Sequence, residues 1–170
     1  GVCVEEIVIE GRRAVGAVTN GGTIGCDILV NCAGLWAKRV GEMARVPVAA
    51  GVVEHQYFLT EKKLTLDPGL TTLRDPDNNF YLKPDTGSFA IGGWEDGTKG
   101  CWRGKPPLDF GRELFPPNMD RLELFALPAA DRLPVLNEIG IQTVINGPIP
   151  VSYDGEPIIG LAPQLDNFYL

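Results

Sequence analysis

The sequence predicts an α+β chain containing an α/β turn, and three observations carry that expectation. Loose period-two alternation broken by Glu10-Gly11-Arg12 and Asn20-Gly21-Gly22 runs through residues 2–25, and strand-like runs broken by Asp-Pro and Pro-Asp turns recur over 71–92; both read as antiparallel sheet. An apolar run from Ile28 to Val30 ends in Ala33-Gly34 and passes into apolar positions at Trp36, Val40 and Met43, a buried strand feeding a helix. A second helical stretch follows Asn118, with Leu122, Leu124, Phe125 and Leu127.

The bounds are simple. A chain of 170 residues with 44% hydrophobic content suits one folded unit, or one and a half, and buries a sizeable core. Fifteen basic against 22 acidic residues give a net charge of −7, and no Lys/Arg run offers a nucleic-acid surface. No apolar stretch approaches the ~20 residues of a membrane span. Cys3, Cys26, Cys32 and Cys101 lack CxxC spacing and the only histidine is remote from them, so reduced cysteines and no metal site are expected. The chain opens mid-pattern at Gly1 and stops in the apolar run Asn167-Phe-Tyr-Leu170, which points to a piece of a larger protein.

Taken in order, strands are expected over 2–10, 13–19 and 23–25, forming a meander that leads into Ile28–Asn31. The helix from Trp36 should end near Arg45, before Pro47. In the next strand, 52–60, Val53, His55, Tyr57 and Leu59 share one face and Val52, Glu54, Gln56, Phe58 and Thr60 the other. A polar loop then runs to Gly69. Strands at 71–74, 80–83 and 89–92 follow, then a Gly/Pro-rich loop over 94–117. Asn118 is a fair N-cap for a helix broken at Pro128. A strand at 141–145 should stop at Asn146-Gly147-Pro148, with short strands at 158–161 and 168–170. The later sheet is expected to carry a helix pair.

A strand that delivers Gly34 to a helix start brings bare backbone close to whatever lies across the turn, favouring an anion or a flat ring. The segment Gly16-Ala-Val-Thr-Asn-Gly-Gly-Thr-Ile-Gly-Cys-Asp-Ile-Leu-Val-Asn-Cys-Ala-Gly-Leu-Trp36 resembles flavin-dependent amine oxidoreductases of the D-amino-acid oxidase superfamily, where a hairpin precedes D-x-V-V-N-A-A-G-x-W. Three further segments agree in order: Val53-Glu-His-Gln-Tyr-Phe-Leu-Thr-Glu61, Leu73-Arg-Asp-Pro-Asp-Asn-Asn-Phe-Tyr-Leu82, and Ile145-Asn-Gly-Pro148 with Asp154-Gly-Glu-Pro-Ile-Ile-Gly160. Together they resemble the dimethylglycine/sarcosine dehydrogenase branch.

The resemblance implies part of an FAD-binding Rossmann-like domain (1–46), an antiparallel-sheet substrate domain with flanking helices (47–146), and a segment returning to the FAD domain (147–170). It implies FAD as cofactor, a small N-methylated amino acid such as dimethylglycine or sarcosine as substrate, and an electron-transfer flavoprotein among the acceptors. Localisation would be cytoplasmic in a bacterium and the mitochondrial matrix in a eukaryote. The phosphate-binding G-x-G-x-x-G of such proteins is not in this chain, so by itself the chain is expected not to hold FAD tightly. Two alternatives stay open: a non-catalytic homologue like the regulatory subunit of pyruvate dehydrogenase phosphatase, and a superfamily oxidase acting on another amine or hydroxy substrate.

By the same resemblance, Ala33, Gly34, Trp36, Pro157 and Gly160 would line the cofactor, and Val4 would meet the adenine. The ordinary alternatives are turn chemistry for Gly34, Pro157 and Gly160, and core packing for Trp36. His55 and Tyr81 match active-site positions, against readings as a satisfied strand histidine and a half-buried packing tyrosine. Arg74 is either a bidentate clamp for a substrate carboxylate or a turn ion pair beside Asp75 and Asp77.

Overall fold

The computed structural model describes residues 1–63, 65–67, 69–94, 97–111 and 113–170. The loops expected over 61–69 and 94–117 include Leu64, Pro68, Glu95, Asp96 and Arg112, which lie outside the described residues. In chain order the elements are β1 (Val4–Glu10), β2 (Arg13–Thr19), β3 (Gly22–Gly25), β4 (Leu29–Val30), α1 (Ala37–Met43), β5 (Ala50–Thr60), β6 (Leu73–Asp75), β7 (Phe80–Asp85), β8 (Ser88–Gly93), α2 (Met119–Arg132), β9 (Ile141–Ser152) and β10 (Phe168–Tyr169). They form two compact units. One comprises Gly1–Val53, Gly100–Phe110 and Ile149–Leu170; the other comprises Glu54–Lys99 and Gly111–Pro148. Set beside the expected segments, residues 47–53 and 100–110 fall with 1–46, and 147–148 fall with the sheet-bearing unit.

In the first unit β1, β2 and β3 form the antiparallel meander that the alternation predicts. Its core is Ile7, Ala14, Ala44, Val46, Ala162, Leu165 and Phe168, with Leu29 and Val40 packed against it. Buried Asn167 ties three strands' neighbours together. Its Nδ2 donates to the carbonyls of Ala14 (2.7 Å) and Asp27 (2.6 Å), and its Oδ1 accepts from Ala14 N–H at 2.8 Å. β10 runs parallel to β4 beside it. The strand expected to be buried over Ile28–Val30 is shorter and more open: Ile28 is 60% exposed and Val30 57%. The reason is that, among the described residues, β4 has β10 alone as ladder partner in a two-stranded sheet. The expected strand at 158–161 reduces to one bridge, Leu161 to Tyr169.

The second sheet has the order β6-β7-β8-β5-β9. β7 pairs with β8 over Phe80–Asp85, and β5 with β8 around Tyr57, Phe58 and Leu59. Every second side chain therefore faces α2. Phe58, Phe80, Leu82, Phe89 and Ile91 pack with Leu122, Phe125 and Ala129 of the helix, and burial of each such large side chain is worth about 1.5–3 kcal/mol. Phe58 and Phe125 stack at 6.1 Å. Gln56 is fully buried on this face because it pays its polarity directly to the helix start: its Nε2 donates to Asn118 O at 2.8 Å, and its Oε1 accepts from Asn118 N–H at 3.1 Å. Asn118 Oδ1 in turn caps α2 by accepting from Arg121 N–H at 3.0 Å.

Three expectations are corrected here. α2 runs through Pro128 rather than breaking at it; the carbonyl that loses its donor belongs to Leu124, on the exposed side of the helix. β9 runs through Asn146-Gly147-Pro148 rather than stopping, because it is the edge strand, where a missing N–H breaks no interior ladder. In place of a helix pair, α2 is followed by a single 3₁₀ turn, Pro134–Glu138.

Candidate functional site

The face of the second sheet turned away from α2 gathers the chemistry-bearing side chains. Register places Arg74 opposite Tyr81, Tyr81 opposite Gly92, and Gly92 opposite Tyr57. Directly paired residues share a face, so these four form one row across β6, β7, β8 and β5. His55 lies two residues before Tyr57 on the same face. The predicted pair His55 and Tyr81 thus stands on one sheet face. The His55 ring stacks on Trp94 with centroids 4.6 Å apart and planes 24° from parallel.

Trp94 follows β8 and is 52% exposed. It is held by Asn79 at the end of the β6–β7 turn, which has φ +54. Asn79 Oδ1 accepts from Trp94 N–H at 3.1 Å, and Asn79 Nδ2 donates to the Trp94 carbonyl. The side-chain amide makes the rung that the backbone would make if the ladder continued past Phe80–Gly93. Arg74 does not form the turn ion pair with Asp75. Asp75 instead accepts from Asn78, from N–H at 3.1 Å and from Nδ2 at 2.9 Å, and these bonds hold its carboxyl below the usual carboxylate range. The Arg74 side chain is left exposed beside Tyr81.

In the first unit, buried Asn31 shapes the turn after β4. Its Nδ2 donates to Ala37 O at 2.9 Å, and its Oδ1 accepts from Ala33 N–H at 3.3 Å. Gly34 sits in that turn with φ +54, and beyond its two chain neighbours no described atom lies within 4 Å of where a Cβ would stand. Gly160 pairs with Leu170, just past β10, at 3.1 and 3.0 Å; it too faces clear space, with φ +152. Asn31 N–H bonds Tyr169 O at 2.8 Å, so these glycines flank the C-terminal ends of the parallel pair β4 and β10, where α/β sheets take ligands. Bare backbone facing open space at strand ends fits a flat cofactor group. Ala33 is half-buried within the turn. Trp36 Nε1 donates to Pro107 O at 3.1 Å, fastening segment 100–110. Val4 packs against the unit's core. Pro157 is exposed after a turn in which Asp154 accepts from Glu156 N–H at 3.1 Å.

Sequence reasoning passed over Trp94, Asn79 and Gly92. The Asn78-Asn79 doublet closing a Pro-containing turn was the one readable signal, since Asn tolerates positive φ. A groove of about 480 Å³ in the first unit is lined by Lys38, Glu42, Pro47, Val48, Ala49 and Tyr153, none of them a predicted site residue. Among the described residues no group of three His, Cys, Asp or Glu is placed to hold a metal. No described helix is long and apolar enough to cross a membrane.

Comparison with known proteins gives consistent matches. The profile of the FAD dependent oxidoreductase (DAO) family matches residues 1–170. Mitochondrial sarcosine dehydrogenase of Mus musculus is 33% identical over 94% of this chain, and mitochondrial dimethylglycine dehydrogenase of Mus musculus is 32% identical over 88%. This chain spans 17% and 18% of their lengths. Among solved structures, L-proline dehydrogenase from P. horikoshii superposes with a TM-score of 0.77 at 21% identity, covering 99% of this chain and 42% of that one. At that identity the likeness speaks for the fold alone.

Proposed function

Because this chain belongs to the FAD dependent oxidoreductase (DAO) family, we propose that the protein oxidises a small N-methylated amino acid, such as sarcosine or dimethylglycine, with FAD. The observation that carries this reading is the sheet face on which His55, Tyr57, Tyr81 and Arg74 stand together, with Trp94 stacked on His55. Such a face supplies what an amino-acid substrate needs: a cation for its carboxylate, a titratable group for its amine, and aromatic walls.

Ala33, Gly34, Trp36, Pro157 and Gly160 would hold FAD, with Val4 at its adenine, and segments 1–46 and 147–170 would form this chain's share of the FAD domain. With FAD held there, a hydride acceptor would be available to the substrate's N-methyl carbon, and hydrolysis of the oxidised substrate would give the demethylated amine and a formaldehyde equivalent. Residues 47–146 would present the substrate. Arg74 would take the carboxylate in a two-point hydrogen-bonded ion pair. His55 would hold the amine's proton, since a protonated nitrogen has no lone pair to stabilise loss of hydride from its methyl group. The Tyr81 hydroxyl would hydrogen-bond the substrate and fix its methyl group for transfer. Electrons would pass on to an electron-transfer flavoprotein, in the mitochondrial matrix of a eukaryote or the cytoplasm of a bacterium.

Anaerobic addition of sarcosine or dimethylglycine to the flavin-loaded protein should bleach the visible flavin band. His55→Ala and Tyr81→Phe should each slow that bleaching by about 10²-fold or more. Bleaching at the wild-type rate in both variants removes the two residues from the reaction. Purified full-length protein without flavin, or with flavin that no amine reduces, would favour the non-catalytic regulatory reading.

A further inference from the structure

We propose that Gly92 is a positioning residue for Tyr81: its missing side chain opens the slot in which the phenol lies flat across β8, and so sets the hydroxyl one strand nearer to His55. This rests on Tyr81 acting at the reaction site.

Gly92 pairs with Tyr81 on one side and with Tyr57 on the other, so all three share the open face. A methyl group built on Gly92 would overlap the Tyr81 hydroxyl oxygen, and would lie 2.5 Å from Cζ and 2.9 Å from Cε1. The hydroxyl end of the ring, not its root, is what meets Gly92. The side chain therefore crosses from β7 by about one strand spacing, ~4.8 Å, instead of standing away from the sheet. The next strand over is β5, which carries Tyr57 and His55.

The neighbouring glycine makes a useful contrast. Gly93 faces α2, where an added Cβ would overlap the Asn79 carbonyl and lie 2.6 Å from Phe125 Cβ, so its smallness serves the close approach of the β6–β7 turn and the helix. Gly92 contributes nothing to that approach. A glycine inside a strand weakens it, and a ring laid over it restores cover to the bare backbone. Cover alone could come from a phenylalanine; the placement of a hydroxyl could not.

The test is a cycle of four flavin-loaded proteins: wild type, Gly92→Ala, Tyr81→Phe and the double variant. Tyr81→Phe should slow flavin reduction at saturating amine by about 10²-fold or more, and Gly92→Ala by about tenfold or more. The double variant should be no slower than the slower single one, because a displaced hydroxyl has nothing left to lose. Single effects that multiply in the double variant, or a wild-type rate in Gly92→Ala, overturn the proposal. A second reading needs neither turnover nor a change at Gly92. With glycine-selective labelling, the wild type should show one glycine Hα pair displaced upfield by the ring, returning to the ordinary range in Tyr81→Leu. If no glycine resonance moves in Tyr81→Leu, the slot does not exist. A wild type whose flavin no amine reduces, but whose glycine signal moves as expected, would sink the substrate reading and leave the slot standing.

Discussion

Trp94 owes its place to a residue of the β6–β7 turn, and His55 owes its stacked neighbour to that placement. Asn79 pins Trp94 at both its N–H and its carbonyl, and the indole then stacks on His55. Trp94→Leu removes the stack but keeps an apolar side chain, so the rate of flavin reduction should fall, while Trp94→Phe should restore most of it; equal rates in both variants would mean the ring has no role. At Arg74 the relevant property is the fork of donors. Arg74→Lys keeps the charge but loses two-point recognition, and KM for the amino acid should rise about tenfold with a smaller change in kcat. An unchanged KM assigns the carboxylate to another partner. The shared face of His55 and Tyr57 was legible because side chains alternate along any strand. Trp94 and Gly92 were not, because the β5–β8 register joins segments far apart in sequence and leaves no local pattern.

At the scale of elements, both misread stops were prolines. Pro128 and Pro148 read as ends because each lacks an N–H, yet an exposed helix side and a sheet edge tolerate that loss. Exposure and edge position are tertiary facts, invisible in the local sequence. Pro128→Ala should restore the bond to Leu124 O and raise stability by about 1–3 kcal/mol in thermal or denaturant unfolding; a loss of stability would show that the helix path depends on the proline. Gln56→Leu should do the reverse. It strands Asn118 N–H under the helix start, while Asn118 O keeps its bond from Leu122 N–H at 3.0 Å, and a polar group left there without its partner costs about 1–3 kcal/mol. The β6–β7 turn adds a pH term. The Asn78 side chain and backbone lower the Asp75 pKa in the folded state, so its contribution is complete above the ordinary carboxylate pKa and vanishes as pH falls through the folded value. Wild type should therefore melt above Asp75→Asn at neutral pH, and the gap should close on acidification. A gap independent of pH would point to the turn's shape rather than its charge.

For the whole molecule, the alternation, the turns and the strand-to-helix passage at Asn31-Cys-Ala-Gly-Leu-Trp36 let the sequence declare an α+β chain and its family. The matching family profile and the fold of the solved relatives agree with that. What the sequence withheld was how its segments combine. Residues 100–110 join the first unit through long-range bonds, Cys101 N–H to Val52 O at 2.7 Å and Trp36 Nε1 to Pro107 O at 3.1 Å, which no spacing rule anticipates. The proposed removal of a methyl group from an amino acid is met head on by one anaerobic single-turnover measurement. With sarcosine or dimethylglycine, flavin reduction and the release of a formaldehyde equivalent should rise together and in equal amounts, and both should slow in His55→Ala. Flavin reduced without the one-carbon product, or not reduced at all, would rule out demethylation.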